Sequence, residues 1–244
     1  MSRHSKWHKI QHKKGVIDAK RGSLFTKLAR AVTVAAQTGG GDSEMNFALR
    51  LAIEKAKAGN MPKENIERAI RRGTGAGEEG VVLQEVLYEA FGPGGGALLV
   101  ESVTDNVTRT VSEIKNVLSQ AGVSLGAPGS VQWQFEKKGV VGFTQEERKK
   151  IKDWGAAQLS FLDAGVDDIQ ESEDEVQLIT DKSNLKRVVE AVTVLGITPD
   201  ESGLEWLPKE TMELSPDKAE KLNELCSNLD DLDDVKDVYT NVRL

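Results

Sequence analysis

The sequence predicts an α+β fold, with an N-terminal three-helix domain followed by two α/β-sandwich (ferredoxin-like) domains, one inserted in the other. Three observations lead there. Apolar residues recur at helical spacing between glycine stops as far as Gly73. Beyond Val81, short β-branched runs alternate with amphipathic helical stretches. Residues 140–207 then read β-α-β-β-α-β, an order that suits an antiparallel sheet with helices on one face. The stretches on either side, 81–136 and 208–244, each supply a helix and strands. They are expected to join as a similar unit around an insertion at 138–207, with a basic arm at 1–22 and the helical domain at 23–75.

Residues 2–16 carry no helical stripe and are interrupted by Gly15, so they read as an arm. Ser23 has the chemistry of an N-cap, and Leu24, Leu28, Val32 and Ala35 follow at helical spacing. Gly39, Gly40 and Gly41 end that helix. Asp42 or Ser43 is expected to cap the second, whose stripe is Ala48, Leu49, Ala52, Ile53 and Ala56, with Gly59 at its stop. Pro62 opens a third helix, striped by Ile66, Ala69 and Ile70 and closed by Gly73. So many alanines leave this domain a thin core. Residues 73–80 read as a linker. A strand follows at 97–103, then a helix at 108–121 with Val111, Ile114, Val117 and Leu118 on one face, and strands at 131–135 and 140–143.

A long helix is expected over 145–164, with strands at 168–169 and 176–180 around an acidic turn at 171–175. The helix at 183–195 turns Leu185, Val188, Val189 and Val192 inward, and a strand lies within 197–207. Ser215 and Pro216 start the last helix, which runs to about 229 with Leu222, Leu225 and Leu229 on one side. Residues 235–242 close the chain as a strand. Trp133, Trp154 and Trp206 have apolar neighbours and are expected in the core.

Charge divides the chain. Residues 1–75 hold 16 Lys/Arg against 6 Asp/Glu, a balance of +10, and the rest holds 16 against 33, a balance of −17. The two give the net −7 of the whole. Within the first thirty residues Arg3, Lys6, Lys9, Lys13, Lys14, Lys20, Arg21, Lys27 and Arg30 are opposed by Asp18 alone. His4, Ser5, Trp7, His8 and His12 lie among them. Dense positive charge with an aromatic inside it attracts a polyanion, through phosphate contact and base stacking. A basic end on an acidic body also favours an oriented encounter with nucleic acid. Arg68, Arg71 and Arg72 form a secondary basic patch on the third helix.

Other chemistries fit poorly. On a helix, His4 and His12 would stand ~12 Å apart along the axis, whereas zinc holds its ligand nitrogens at ~2.0–2.1 Å. No metal, cofactor or small-molecule substrate is therefore expected. The string at 92–97 matches a dinucleotide-binding glycine pattern, but it precedes a strand instead of opening a helix, so it reads as a tight turn. A nucleophilic triad needs a histidine base, and none stands beyond His12. Asp230, Asp231, Asp233 and Asp234 read as a solvated acidic turn. One cysteine, Cys226, leaves no internal disulfide and suits a reducing compartment, so a cytoplasmic protein is expected. No apolar run approaches the ~18 residues of a membrane span, and no secretory signal follows the basic start.

Several separated motifs carry a resemblance. His4-Ser5-Lys6-Trp7, Ile10, His12-Lys13-Lys14, Asp18-Ala19-Lys20-Arg21 and Phe25-Thr26-Lys27 open it. Gly39-Gly40-Gly41-Asp42, Asn46, Leu49-Arg50, Asn60-Met61-Pro62, the run from Ile66 to Ile70, and Tyr88-Glu89 continue it. So do Gly92-Pro93-Gly94-Gly95, Asp105-Asn106, Arg109-Thr110, Gly129-Ser130-Val131 and Lys137-Lys138-Gly139-Val140. Together they resemble the YebC/PmpR family over nearly the whole chain. Arg3, Gln11 and Phe47 depart from it, standing where the family commonly has Gly, Lys and Pro. The resemblance implies three domains, a cytoplasmic location and no catalytic activity. It implies a probable DNA-binding transcriptional regulator. Mitochondrial relatives are translational activators for a cytochrome c oxidase subunit, and bacterial members are also linked to ribosomes stalled at proline-rich stretches. The expected partner is thus nucleic acid: DNA, or rRNA, tRNA or mRNA on the ribosome.

Overall fold

The computed structural model describes residues 18–76 and 82–243, with side chains from residue 22 onward. The expected arm lies outside the described residues up to position 17, and with it Arg3, His4, Ser5, Lys6, Trp7, His8, Lys9, His12, Lys13 and Lys14. The backbone of Lys20 and Arg21 belongs to a helix.

Three helices come first: α1 (Asp18–Gly39), α2 (Phe47–Ala58) and α3 (Lys63–Gly73). Ser23 was expected to cap α1, but the helix begins five residues earlier and Ser23 sits inside it. The buried stripe is Leu28, Val32 and Ala36, while Leu24 is exposed and Ala35 only half-buried. Asn46, not Asp42 or Ser43, caps α2: its Oδ1 accepts from the Leu49 amide at 3.1 Å. Its Nδ2 meanwhile donates to the carbonyls of Ala35 (2.7 Å) and Gly40 (2.8 Å), so one side chain ends α1 and starts α2. Asp42 Oδ1 instead accepts from the Glu44 amide within the preceding turn. Leu49, Ala56, Met61, Ile66 and Ala69 complete the small core, with Phe25, Ala29 and Ile53 packed around it.

Two compact units make up the described chain, one of residues 136–207 and one of the residues on either side of it. The flanking unit contains the three helices and an antiparallel sheet ordered β1-β2-β7, from β1 (Gln84–Phe91), β2 (Ala97–Thr104) and β7 (Val235–Thr240). Every residue of β2 is buried, as suits a central strand. Tyr88, Ala90, Leu98, Val100 and Val238 pack with Ile114 and Leu118 of α4 (Val107–Gln120) and Leu222, Leu225, Cys226 and Leu229 of α8 (Pro216–Asp230). The β1–β2 hairpin closes at Gly92–Gly96. Gly94 has φ +80, and a Cβ there would meet Leu214 at 2.7 Å, so the turn needs glycine on both counts.

The unit of 136–207 contains β3 (Phe135–Thr144), α5 (Gln145–Lys149), α6 (Trp154–Asp163), β4 (Val166–Glu171), β5 (Glu175–Thr180), α7 (Leu185–Val194) and β6 (Glu201–Pro208). Its sheet order, β4-β5-β3-β6, is that of the split β-α-β (ferredoxin-like) plan. Phe143 lies opposite Val176 and Val141 opposite Leu178 across the β3–β5 ladder. Trp154 and Phe161 of α6 meet Phe143 with ring centroids 6.5 Å away in each case.

Four expectations are corrected. The long helix over 145–164 is two, because the Asp153 carboxylate accepts from the Ala156 amide (3.0 Å) and caps a new start. The strand at 131–135 is a tight turn, and only Phe135 enters β3. Trp133 lies on that turn, exposed and outside the core, whereas Trp154 and Trp206 are half-buried. The acidic turn is not simply solvated, since Asp234 is buried (3% exposed).

Candidate nucleic-acid interface

On α1, the expected phosphate ligands Lys27 and Arg30 are held internally. Lys27 Nζ pairs with Asp230 Oδ1 at 3.0 Å and also bonds the Asp230 carbonyl. Arg30 pairs with Asp234 Oδ1 and donates to the Asp233 carbonyl at 2.6 Å. One turn earlier, Ser23 Oγ donates to Asp233 Oδ1 at 2.9 Å. Helical spacing puts Ser23, Lys27 and Arg30 on one face of α1, and the α8–β7 connection supplies the acceptors. This clasp takes two cations out of the set available to a polyanion.

The patch on α3 is different. Arg68, Arg71 and Arg72 are exposed, and none has an ion-pair partner among the described residues. The buried Ile66 and Ala69 fix the inner face of α3, which turns these three outward. Arg71 and Arg72 also lie in the last turn, where cations complement the helix dipole.

Two carboxylates organise the surrounding loops. Asp234 Oδ2 accepts from Thr110 Oγ1 (2.6 Å), Thr104 Oγ1 (2.9 Å) and Arg109 Nη2 (2.7 Å). Arg109 also binds Asp105 at 2.8 Å, and Asn106 Oδ1 caps α4 by accepting from the Arg109 amide. Burial pushes the Asp234 carboxyl up, but these hydrogen bonds and the Arg30 charge outweigh it and hold it below the usual aspartate value. The motif residues from Asp105 to Thr110 thus build one polar network under α4.

Glu89 is the second, 5% exposed on β1. Its carboxylate accepts from the amides of Gly129 (2.5 Å), Val131 (2.7 Å) and Gln132 (2.8 Å). Burial again acts to raise its pKa, and the three backbone donors bring it below the usual glutamate value. This is why 129–132 turns instead of extending. The turn carries Trp133, whose Nε1 donates to the Ser130 carbonyl at 3.1 Å and whose own carbonyl accepts from Lys209 Nζ at 2.8 Å. The sequence reading puts Trp133 in the core and does not single out Lys209. The signal was a polar frame, with glutamines on both sides of Trp133, that a core tryptophan rarely has.

Among the described residues, no group of three or more His, Cys, Asp or Glu is placed to hold a metal ion, and no helix is long and apolar enough to cross a membrane. Burial pushes the Cys226 thiol far up, which keeps it a neutral core group.

Comparison with known proteins bears on both halves of the chain. Residues 5–76 match the model of the TACO1/YebC protein N-terminal domain, and residues 83–242 match that of the TACO1/YebC second and third domain. A probable transcriptional regulatory protein of Caldanaerobacter subterraneus subsp. tengcongensis is 46% identical over 244 residues, covering 100% of this chain and 99% of that protein. One from Thermotoga maritima is 45% identical over 244 residues, with 100% and 94% covered. The crystal structure of a conserved hypothetical protein from Aquifex aeolicus superposes with a TM-score of 0.85 at 38% identity, covering 96% of this chain and 95% of that one.

Proposed function

The chain belongs to the TACO1/YebC family, and from that premise we propose that it is a non-catalytic, nucleic-acid-binding regulator of gene expression that acts on transcription by contacting DNA. The observation that carries the proposal is the state of the cations on the helical domain. Lys27 and Arg30 are engaged by carboxylates, while Arg68, Arg71 and Arg72 project from α3 without an ion-pair partner among the described residues. Arginines free to form bidentate contacts are suited to phosphate. They add to the basic residues Arg3, Lys6, Lys9, Lys13, Lys14, Lys20 and Arg21 earlier in the same charged region. The relatives' printed description as probable transcriptional regulatory proteins supports the same role. The charge split favours an oriented encounter in which the basic end meets the polyanion first.

The test is equilibrium binding of the full chain to duplex DNA and to structured RNA over a range of salt. If α3 contributes three phosphate contacts, replacing Arg68, Arg71 and Arg72 with Ala lowers the salt slope on duplex DNA by about 2.7, at about 0.9 per phosphate. Absence of binding, or a slope near zero in the unaltered protein, overturns the proposal. Tight binding to RNA with none to DNA moves the regulated step from transcription to translation.

A further inference from the structure

We propose that Trp133 is a stacking platform for an unpaired nucleobase, with Lys209 holding the adjoining phosphate. This deepens the nucleic-acid reading above and rests on it. Tryptophan is a highly buried residue type on average, yet Trp133 is 67% exposed, while Trp154 and Trp206 are half-buried.

The turn beneath Trp133 is built. Three amides on its N-terminal side, those of Gly129, Val131 and Gln132, are fixed on the buried Glu89 carboxylate. On its C-terminal side, Gln134 accepts through its carbonyl from the Lys209 amide (2.8 Å) and through Oε1 from Asn241 Nδ2 (3.0 Å). Asn241 is itself fixed by accepting from the Ala97 amide at 2.9 Å. An exposed indole on a backbone held from both sides loses little further freedom when a ligand arrives.

The chemistry selects the ligand. The indole N–H is already satisfied by the Ser130 carbonyl, so what the ring still offers is its π-face. Every base stacks on such a face, whatever its sequence. Beside it, Lys209 Nζ spends one of its three donors on the Trp133 carbonyl. The lysine is exposed, and no carboxylate among the described residues pairs with it. An aromatic face next to an uncompensated ammonium is the pairing that single-stranded nucleic acid engages, by stack and by phosphate. A base inside a duplex has no free face to offer, so the site discriminates for unpaired strands or loops.

The experiment uses the full chain with a short single-stranded RNA of mixed sequence and with the duplex DNA of the same sequence. Trp133→Ala is expected to weaken single-strand binding by about 5- to 150-fold, the range for loss of one stacked base. Duplex binding and the salt slope stay unchanged. Lys209→Ala lowers the single-strand slope by about 0.7, the value of one phosphate. In a Trp7→Phe background, iodide quenching of tryptophan fluorescence is expected to fall when the strand binds, and that fall is expected to vanish when Trp133→Phe is added. Trp133→Phe keeps an aromatic face and most of the affinity, so it decides the matter even if Trp133→Ala melts early.

If the unaltered protein binds the strand, and Trp133→Ala binds it equally with quenching unaffected, the platform is overturned while the function stands. If the unaltered protein binds neither probe, the function itself falls and the platform with it. If Trp133→Ala leaves nucleic-acid binding intact but abolishes self-association in sedimentation, the residue belongs to a protein interface and the proposal is wrong.

Discussion

Asp234 collects donors from Arg30, Thr104, Arg109 and Thr110, three segments that meet only in the folded chain. Removing its charge strands two guanidiniums and two hydroxyls around one site. Asp234→Asn is expected to cost about 3 kcal/mol at neutral pH, the lower end for breaking a buried pair, because Arg109 retains contact with water. The pH dependence has a definite sign. A carboxyl held below its unfolded value contributes stability that is complete above about pH 4 and is lost as pH falls through the lowered value. Urea midpoints across the acid range should therefore fall more steeply for the unaltered protein than for the variant, and parallel curves would show that Asp234 is not a stabilising charge. The network was invisible residue by residue. Four aspartates within five positions suggest a solvated turn, and nothing local says that the last of them is buried. Trp133 misled in the opposite direction: its apolar neighbour Val131 suggested a core, but Glu89, far earlier in the chain, draws the backbone into a turn and leaves the ring outside.

At the scale of elements, the helical domain depends on close approach more than on apolar area. Gly73 ends α3 where its Cβ would collide with the Thr33 carbonyl and lie 2.8 Å from Ala36 Cβ. Thr33 Oγ1 bonds the Ala69 carbonyl at 3.1 Å in the same contact. Gly73→Ala is expected to destabilise by about 1–3 kcal/mol through overpacking, more than the ~1 kcal/mol an alanine supplies as a helix former. Thermal melting followed by helical circular dichroism checks it, and an unchanged or higher midpoint would remove the close-approach account. The helices themselves were legible, since glycine and proline punctuation with a 3.6-residue stripe is a local signal. Their starts were less so. Asn46 is chosen over Asp42 because its amide also reaches the carbonyls of Ala35 in α1 and of Gly40 just past its end, a tertiary reason that a capping preference does not contain. Strand β1 was not expected at all. Its alternation is broken by Glu89 on a buried position, which only the amides of the distant turn make tolerable.

At the scale of the molecule, the acidic body meets the helical domain through the clasp of Ser23, Lys27 and Arg30 on the α8–β7 connection. Gln37 adds a second tie, exchanging hydrogen bonds with both backbone groups of Leu83 at 3.2 Å. The core residues of α1 begin at Phe25 and Leu28, so deletion of residues 1–17 is expected to leave the melting temperature nearly unchanged. The deletion removes Arg3, Lys6, Lys9, Lys13 and Lys14. If each holds a phosphate, the salt slope on duplex DNA drops by about 4.5 and affinity collapses at moderate salt. A truncated chain that binds as before would leave Arg68, Arg71 and Arg72 as the contact.

Taken alone, the sequence determined the α+β class, the three helices, the β-α-β-β-α-β run and the family. Each rests on periodicity, punctuation or motif spacing, which are properties of neighbouring residues. It also determined that positive charge gathers at one end. Which of those charges remain for a partner was decided by the tertiary structure. Lys27 and Arg30 look the same in sequence as Arg68 and Arg71, but folding sets the first pair against Asp230 and Asp234 and turns the second outward. The physical reason is range. A stripe or a cap is fixed within a few residues, whereas an ion pair forms across some two hundred positions only when two packed surfaces bring its members within about 4 Å.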